Sequence, residues 1–382
     1  MIQNLRLTAI LIIFTFAGCS KDSAEPLPEL KLTSTTVNEG ATSATKAEIK
    51  VSLSKVFSKD VTFDYAVSDG TAKSGFDYSA FATKSATIKA GQLSTSLEVV
   101  ILPDDIFEFN ETLYVTAENI QNATASFNKA TVTIVDDDIY TPETDANGVI
   151  TPNNYPGMSL VWSDEFNDAT LNLTNWSYEK GASGWGNNEL EDYTDSPNNV
   201  FVENGFLNIK AIKEGAKYTS GRIITKGKRE FTYGRIDIRA KLPVGQGIWP
   251  ALWMLGSNIE TVSWPGCGEI DIMEYLGHEH NKVYGTAHYN DNGHKYEGSN
   301  YTLIGGGFED KFHVFTLMWQ ENSMVWYVDY QKFFQFNKAG NTFNKNQFFI
   351  MNLAVGGNWP GNPDATTVFP QTMQVDYVRI FQ

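Results

Sequence analysis

The sequence predicts an all-β protein made of two consecutive sandwich bodies, and three features of the chain carry that expectation. Before residue 140, short β-branched and aromatic runs alternate at period two between Gly, Asp and Asn turn signals. After residue 157, aromatic and β-branched strands continue to the last residue with no convincing helix-period stretch. Between them lies YTPETDANGVITPNNYPG, 140–157, rich in Pro, Asn, Thr and Gly and without apolar periodicity, which reads as a linker over 139–157.

Composition narrows the function before any motif is considered. Of 382 residues, 42% are hydrophobic, 13% aromatic and 19% charged, which is the balance of a globular chain rather than a disordered one. The net charge of -16 repels phosphate backbones, so nucleic acid is excluded as a partner, while neutral ligands and cations are tolerated. All nine Trp lie at or after Trp162 and all five His at or after His278, so the second body holds the chemistry. Nothing in the sequence indicates an oligomer.

Taken in order, the chain opens on a targeting signal. Arg6 precedes an apolar run, 7–16, too short to span a bilayer comfortably, and Ala17 and Gly18 are small residues before Cys19. The segment resembles a bacterial lipoprotein signal over 1–18. That resemblance implies lipidation of Cys19, a tether over 19–29 and, with Ser20 next, an outer-membrane anchor. Cys267, the second of two cysteines, is expected to be a small buried thiol.

In the first body, expected over 30–138, the alternating runs are 47–53 (AEIKVSL), 61–67 (VTFDYAV), 96–102 (SLEVVIL) and 130–135. Between them come Asn38-Glu39-Gly40, Asp69-Gly70-Thr71-Ala72, Asp77-Tyr78, Asp104-Asp105 with Glu108 and Glu111, and Asp136-Asp137-Asp138. In this order they resemble a Calx-beta domain. Acid clusters at loop ends suit Ca²⁺, which takes six to eight oxygens, and serve equally as solvated turns.

The second body, expected over 158–382, holds the segment 268–275, GEIDIMEY. In a regular strand Glu269 and Asp271 share a face and Glu274 points to the other. A β-bulge around Ile272 and Met273 returns Glu274 to the face of the other two. Three adjacent carboxylates repel, so at least one keeps its proton, and a protonated acid beside a carboxylate is the equipment of glycoside hydrolysis. Trp249 and Trp253, four apart in IWPALWML, stand on one face, and flat apolar rings suit the faces of pyranose sugars. His278, Glu279 and His280 offer no third metal ligand and read as a solvated loop.

With these residues in place, the second body is similar to glycoside hydrolase family 16, in its laminarinase branch. The matching stretches run in order: WSDEFN from Trp162, GWGNNELEDY from Gly184, GRIITK from Gly221, YGRIDIRAKL from Tyr233, GIWPALWML from Gly247, WPGCGEIDIMEYLG from Trp264, GTAHY from Gly285, NLAVGGNWPG from Asn352 and VDYVRIF from Val375. The resemblance implies a concanavalin A-like β-jelly roll and endo-acting hydrolysis of β-1,3-glucan with retention, extending to 1,3 bonds of mixed-linked glucan. It implies Glu269 as nucleophile, Asp271 as its assistant and Glu274 as acid/base. Asn188, Arg239, Trp249, Trp253, His288, Asn352 and Trp359 are implied as substrate-binding residues, with His288 on the leaving-group side. A structural Ca²⁺ is implied on Glu165, Gly205 and Asp376, and no redox or nucleotide cofactor. A role for Arg239 as a structural ion-pair partner stays open, since it shares strand parity with Arg235 and Asp237. Two other functions stay open: a sulfated-galactan hydrolase, which needs cationic groups in the cleft, and an inactive polysaccharide-binding or adhesion protein.

Overall fold

Period-two alternation becomes two separate β units in the computed structural model, which describes residues 25–104, 110–137, 142–155, 157–337 and 342–382. The leader, Cys19, Asp105, Glu108 and Asp138 lie outside the described residues. Among the described residues none is helical. The chain divides into Met1–Asp138 and Ile139–Gln382.

In the first unit, Thr45–Leu53 and Ser94–Ile101 pair antiparallel, so Ala47, Ile49 and Val51 face inward beside Leu97, Val99 and Ile101. These strands belong to a four-stranded sheet, and Val61–Asp69 and Glu111–Gln121 belong to a five-stranded one. Both sheets contribute inner-face residues to one apolar core, as a sandwich requires. Three of the described turn acids accept hydrogen bonds: Asp69 from Ser74 N–H and Tyr78 O–H, Asp77 from Lys73 N–H, and Asp137 from the distant Gly40 N–H.

The second unit is a larger sandwich of a ten-stranded and an eight-stranded sheet, the two-layer form of a jelly roll. Five strands of the eight-stranded sheet carry the chemistry: β1 (Ile248–Gly256), β2 (Glu269–Tyr275), β3 (Lys282–Asn290), β4 (His294–Thr302) and β5 (Gln347–Val355), in the spatial order β5-β1-β2-β3-β4. Their inward residues, among them Leu252, Met254, Ile270, Tyr275, Ala287, Met351 and Leu353, share one core with Ile236 and Ile238 of Gly234–Lys241 and Val378 and Ile380 of Gln371–Phe381 from the ten-stranded sheet. The opposite face of β1, β2 and β5 is therefore left to line a groove.

The segment read as a linker is instead part of the second unit. Residues 144–145 and 148–149 pair as a short hairpin, and Val149 N–H reaches Phe312 O. Gly148, at φ 139, sits where a Cβ would lie 2.1 Å from that same carbonyl, so no larger residue fits. Asp145 accepts from Arg239, and Thr151 meets Tyr377 Oη through both its N–H, at 2.8 Å, and its hydroxyl, at 2.7 Å. The segment is fixed by polar bonds, one close backbone approach and the packing of Tyr155 on Phe381, without a repeating apolar face, so hydrophobic periodicity could not reveal it.

Candidate active site

The register of β2 places the three acids on one face. Against β1, Leu252 pairs with Met273 and Trp253 with Asp271, so Ile272 is the extra residue; against β3 the ladder shifts between Asp271 and Glu274. This is a β-bulge, and it turns both Ile272 and Met273 into the core while Glu269, Asp271 and Glu274 face the groove. Beneath the bulge, the buried Trp326 indole donates to Asp271 O at 2.8 Å. Trp326 fits there because β3 has Gly285, where a Cβ would meet the indole at 2.6 Å.

The groove has two lobes, of about 380 and 600 Å³, which meet at Asn187, Trp249, Trp264, Glu269 and Glu274. One lobe is lined by Trp185, Asn187, Glu189, Arg222, Trp253 and Asn352. The other is lined by Tyr284, Thr286, His288, His294, Tyr296 and Trp359. Trp253 Nε1–H donates to Asn352 Oδ1 at 2.8 Å, Asn352 Nδ2 to Tyr193 Oη at 3.0 Å, and Tyr193 O–H to Glu189 Oε2 at 3.1 Å. This chain fixes the Trp253 ring from below. Trp359 meets Trp249 edge-on at 5.7 Å and Tyr284 at 5.0 Å.

The acids differ in what surrounds them. Burial, then the charge of Asp271, pushes Glu269 up to about 8, while His288, the Trp264 N–H and Arg222 oppose the rise. Burial alone pushes Asp271 up to about 8. Glu274 is raised well above its ordinary value by burial and then by Asp271 and Glu269. Glu269 accepts the Trp264 indole N–H at 2.9 Å, whereas Glu274 has only a longer bond from Trp249 at 3.3 Å. The proton therefore stays on Glu274, and Glu269 ionises more readily. Such a split is what an acid and a nucleophile sharing one groove require.

Several expected residues lie elsewhere. Arg239 is not in the groove: its strand, Gly234–Lys241, belongs to the ten-stranded sheet, and its guanidinium is bonded to Asp376 and, at 2.6 Å, to Asp145. Strand parity with Arg235 and Asp237 was the informative signal, because the alternation keeps all three on one side. Arg239→Ala leaves Asp376 and Asp145 without their cation. It is expected to lower stability by roughly 2–4 kcal/mol and leave KM unchanged, which thermal melts and steady-state kinetics check. Asn188 is exposed and donates to Asn358 Oδ1 at 2.8 Å; its neighbour Asn187 lines the groove. A φ of 58° at Asn188 turns the chain there, so the two amides point apart. His288 lies beside Asp271 and Glu269, with Nε2 3.3 Å from Asp271 Oδ2 and 3.7 Å from Glu269 Oε1, because it pairs with Glu269 across β2 and β3.

Glu165 and Asp376 line one polar pocket with Glu143, Asp145 and Asn167, and Gly205 lies behind Asn167. Four carboxylates against Arg239 and Arg379 leave an excess of oxygen and negative charge, which fits a hard divalent cation. Glu165 meanwhile pairs with Arg379 through both oxygens at 2.9 Å. In the loop 278–280, Glu279 bonds Lys282 and Tyr284, and His280 meets Glu309 at 3.2 Å, so no metal set forms. Cys267 is a buried free thiol.

Sequence reasoning missed Arg222, whose guanidinium lies over the Trp185 and Trp253 rings, 4.6 and 4.9 Å from their centroids, and pairs with Glu179 at 2.5 Å. It also missed Trp264, although this residue stood five places before Glu269 in a matching stretch. A third is Glu191, fully buried under the first lobe and accepting Val355 N–H at 2.6 Å. Burial, then the charge of Glu189, pushes its carboxyl up to about 9. A raised carboxyl costs stability as pH rises from its unfolded value near 4 toward the folded one, and costs nothing below it. Glu191→Gln is accordingly expected to raise stability by about 1–3 kcal/mol at pH 7 and little at pH 4, as urea unfolding at the two pH values would measure.

Comparison with known proteins agrees with this geometry. The model of glycosyl hydrolases family 16 matches residues 187–379, and that of the Calx-beta domain matches 22–138. A third model, of beta-glucan synthesis-associated proteins SKN1/KRE6/Sbg1, matches 92–266. Glucan endo-1,3-beta-glucosidase A1 of Niallia circulans is 41% identical over 260 residues, 59% of this chain but 38% of that protein. The beta-glucanase of Rhodothermus marinus is 39% identical over 253 residues, 59% of this chain and 86% of that protein. Among solved structures, the catalytic domain of an endo-1,3-beta-glucanase (laminarinase) from Thermotoga petrophila aligns with a TM-score of 0.56 at 46% identity, covering 59% of this chain and 98% of that one. With the bulged acid triad, the aromatic groove and these matches in agreement, the chain belongs to glycosyl hydrolase family 16 and bears a Calx-beta domain before its catalytic domain.

Proposed function

We propose that this protein cleaves internal β-1,3 bonds of a neutral glucan such as laminarin, with retention, through a glycosyl-enzyme intermediate. The observation that carries the reading is the set of three bulged carboxylates at the meeting point of two aromatic lobes. A polymer can lie through both lobes with its scissile bond over Glu269 and Glu274, which favours internal cleavage.

In the first step Glu269 Oε attacks the anomeric carbon and Glu274 delivers its proton to the departing glycosidic oxygen. Glu274, now anionic, takes a proton from water, and the hydroxide oxygen displaces Glu269 from the sugar. Asp271 lies beside the nucleophile and, kept protonated by burial, adds no second negative charge beside the ionised Glu269. Trp249, Trp253 and Trp359 offer ring faces and edges to pyranose rings.

The only cationic side chain among the groove's described lining residues is Arg222, already paired with Glu179. That scarcity weighs against a sulfated galactan as substrate. Reducing-sugar release from laminarin, lichenan and agarose separates the readings. A ladder of laminarin oligosaccharides is expected, with slower release from lichenan and none from agarose. Tight binding of laminarin without product would establish a binding protein instead.

Two further parts of the proposal concern the chain around the catalytic body. The apolar run before Cys19 supports lipidation of that cysteine and an outer-membrane location; Cys19→Ser should move the protein from the membrane to the soluble fraction. The carboxylate-rich pocket at Asp376 and Glu165 supports a structural Ca²⁺, whose bound energy would stabilise the fold. Adding millimolar Ca²⁺ to chelator-treated protein should raise Tm by several degrees, and Asp376→Asn should abolish the rise.

A further inference from the structure

His288 has two nitrogens with different duties. Its Nε2 faces Asp271 Oδ2 at 3.3 Å and Glu269 Oε1 at 3.7 Å, and Asp271 Oδ2 is a buried oxygen with no hydrogen-bond partner. Its Nδ1 lies 2.9 Å from Nε2 of His294, a residue of β4 whose ring is tilted only 15° from that of His288. The pairing of β3 and β4 sets this contact: His294 pairs with Asn290, two residues beyond His288 on the same face, so the rings meet diagonally. Trp264 packs against His294 at 4.5 Å between centroids and also lies 6.2 Å from the His288 ring.

A nitrogen-to-nitrogen contact of this length holds one proton. If His294 Nε2 carries it, neutral His288 must bear its own hydrogen on Nε2, directed at Asp271. If His288 Nδ1 carries it, a bare Nε2 lone pair opposes two carboxylate oxygens, which is tolerable only while Asp271 is protonated. The titratable and charged groups facing the pair are Glu269, Asp271 and Glu274 from β2, Tyr296 from β4 and, across the groove, Arg222. In the reactive form Glu269 is ionised, so a bare Nε2 lone pair 3.7 Å from its oxygen is disfavoured even beside a protonated Asp271, and a hydrogen on Nε2 aimed at Asp271 is favoured.

We propose that His294 is a positioning residue for the reaction: by donating Nε2–H to His288 Nδ1 it fixes His288 as the Nε2–H tautomer that supplies the missing donor to Asp271. The kinetic consequence rests on the hydrolase reading above; the tautomer does not. His294 is largely exposed, and partial desolvation followed by the electrostatic effect of His288 keeps its proton affinity below the usual histidine range, so it works as a neutral donor.

The test compares His294→Phe, which keeps a flat ring against Trp264 but has no donor, with His294→Gln, whose amide N–H can reach Nδ1. Long-range ¹H–¹⁵N spectra of the imidazoles report the tautomer of His288 with or without activity on any glucan. The parent and the Gln variant are expected to show the Nε2–H form and the Phe variant to lose it. On laminarin, the Phe variant should lose roughly tenfold in kcat at unchanged KM, with its acid limb moved to higher pH by about half a unit or more, and Gln should restore most of both. An Nδ1–H tautomer in the parent, an unchanged tautomer in the Phe variant, or equal losses in Phe and Gln through KM alone would each overturn the proposal.

Discussion

Replacing Glu269 with Ser is expected to lower turnover of laminarin by roughly 10⁴-fold or more while leaving oligosaccharide binding near that of the parent. The size follows from the role. On the proposed mechanism Glu269 forms the covalent bond to sugar and no neighbour replaces it: Asp271 is buried, with 3% of its surface accessible, and Glu274 is held protonated for the leaving group. Binding survives because the rings of Trp249, Trp253 and Trp359 keep their positions through contacts that do not involve Glu269. Turnover and calorimetric binding of a laminarin oligosaccharide, measured on the same preparation, check both halves. A variant that keeps activity within tenfold of the parent would remove Glu269 from the mechanism.

Glu274→Ala is expected to cost about 10²–10⁴-fold in kcat, with a loss that depends on the leaving group. A natural glucan needs protonation of a poor alkoxide, while an activated aryl glycoside departs without it, so the aryl substrate should retain far more of its glycosylation rate. Added azide replaces the water that Glu274 would have activated and should rescue the second step, yielding a β-glycosyl azide. The pH profile follows from the same environments. On the proposed mechanism activity needs Glu269 ionised and Glu274 protonated, so it falls at low pH as the raised nucleophile takes up a proton and at high pH as the acid, itself raised by burial and its neighbours, loses its own. The alkaline limb should vanish in Glu274→Ala. Equal losses on natural and activated substrates, without azide rescue, would count against Glu274 as the acid.

The fold and the centre of the site were legible because their signals are local. Alternation at 47–53 and 96–102 gives strands wherever their partners lie, and three acids spaced E-x-D-x-x-E share a face only if one residue is extra, so the bulge at Ile272 could be inferred from the motif itself. The misplacements depend on which sheet a strand joins. Arg239 follows correct parity, but parity does not say that Gly234–Lys241 belongs to the sheet away from the groove. Arg222 has its partner Glu179 43 residues away, and its stacking on Trp185 and Trp253 exists only after folding. Trp264 stands in a loop, where no periodicity marks its direction. Asn187 and Asn188 differ only in a backbone turn at one of them, which an Asn-Asn pair does not disclose.

In the proposed mechanism one carboxylate attacks the sugar and one acid serves twice, and the anomeric configuration of the first-formed product reports that sequence directly. Proton NMR of laminarin during the first minutes of hydrolysis, before mutarotation, should show the β-anomer of the new reducing end appearing first and the α-anomer growing in later. If the α-anomer appears first, a single displacement by water has occurred, and Glu269 does not form a covalent intermediate.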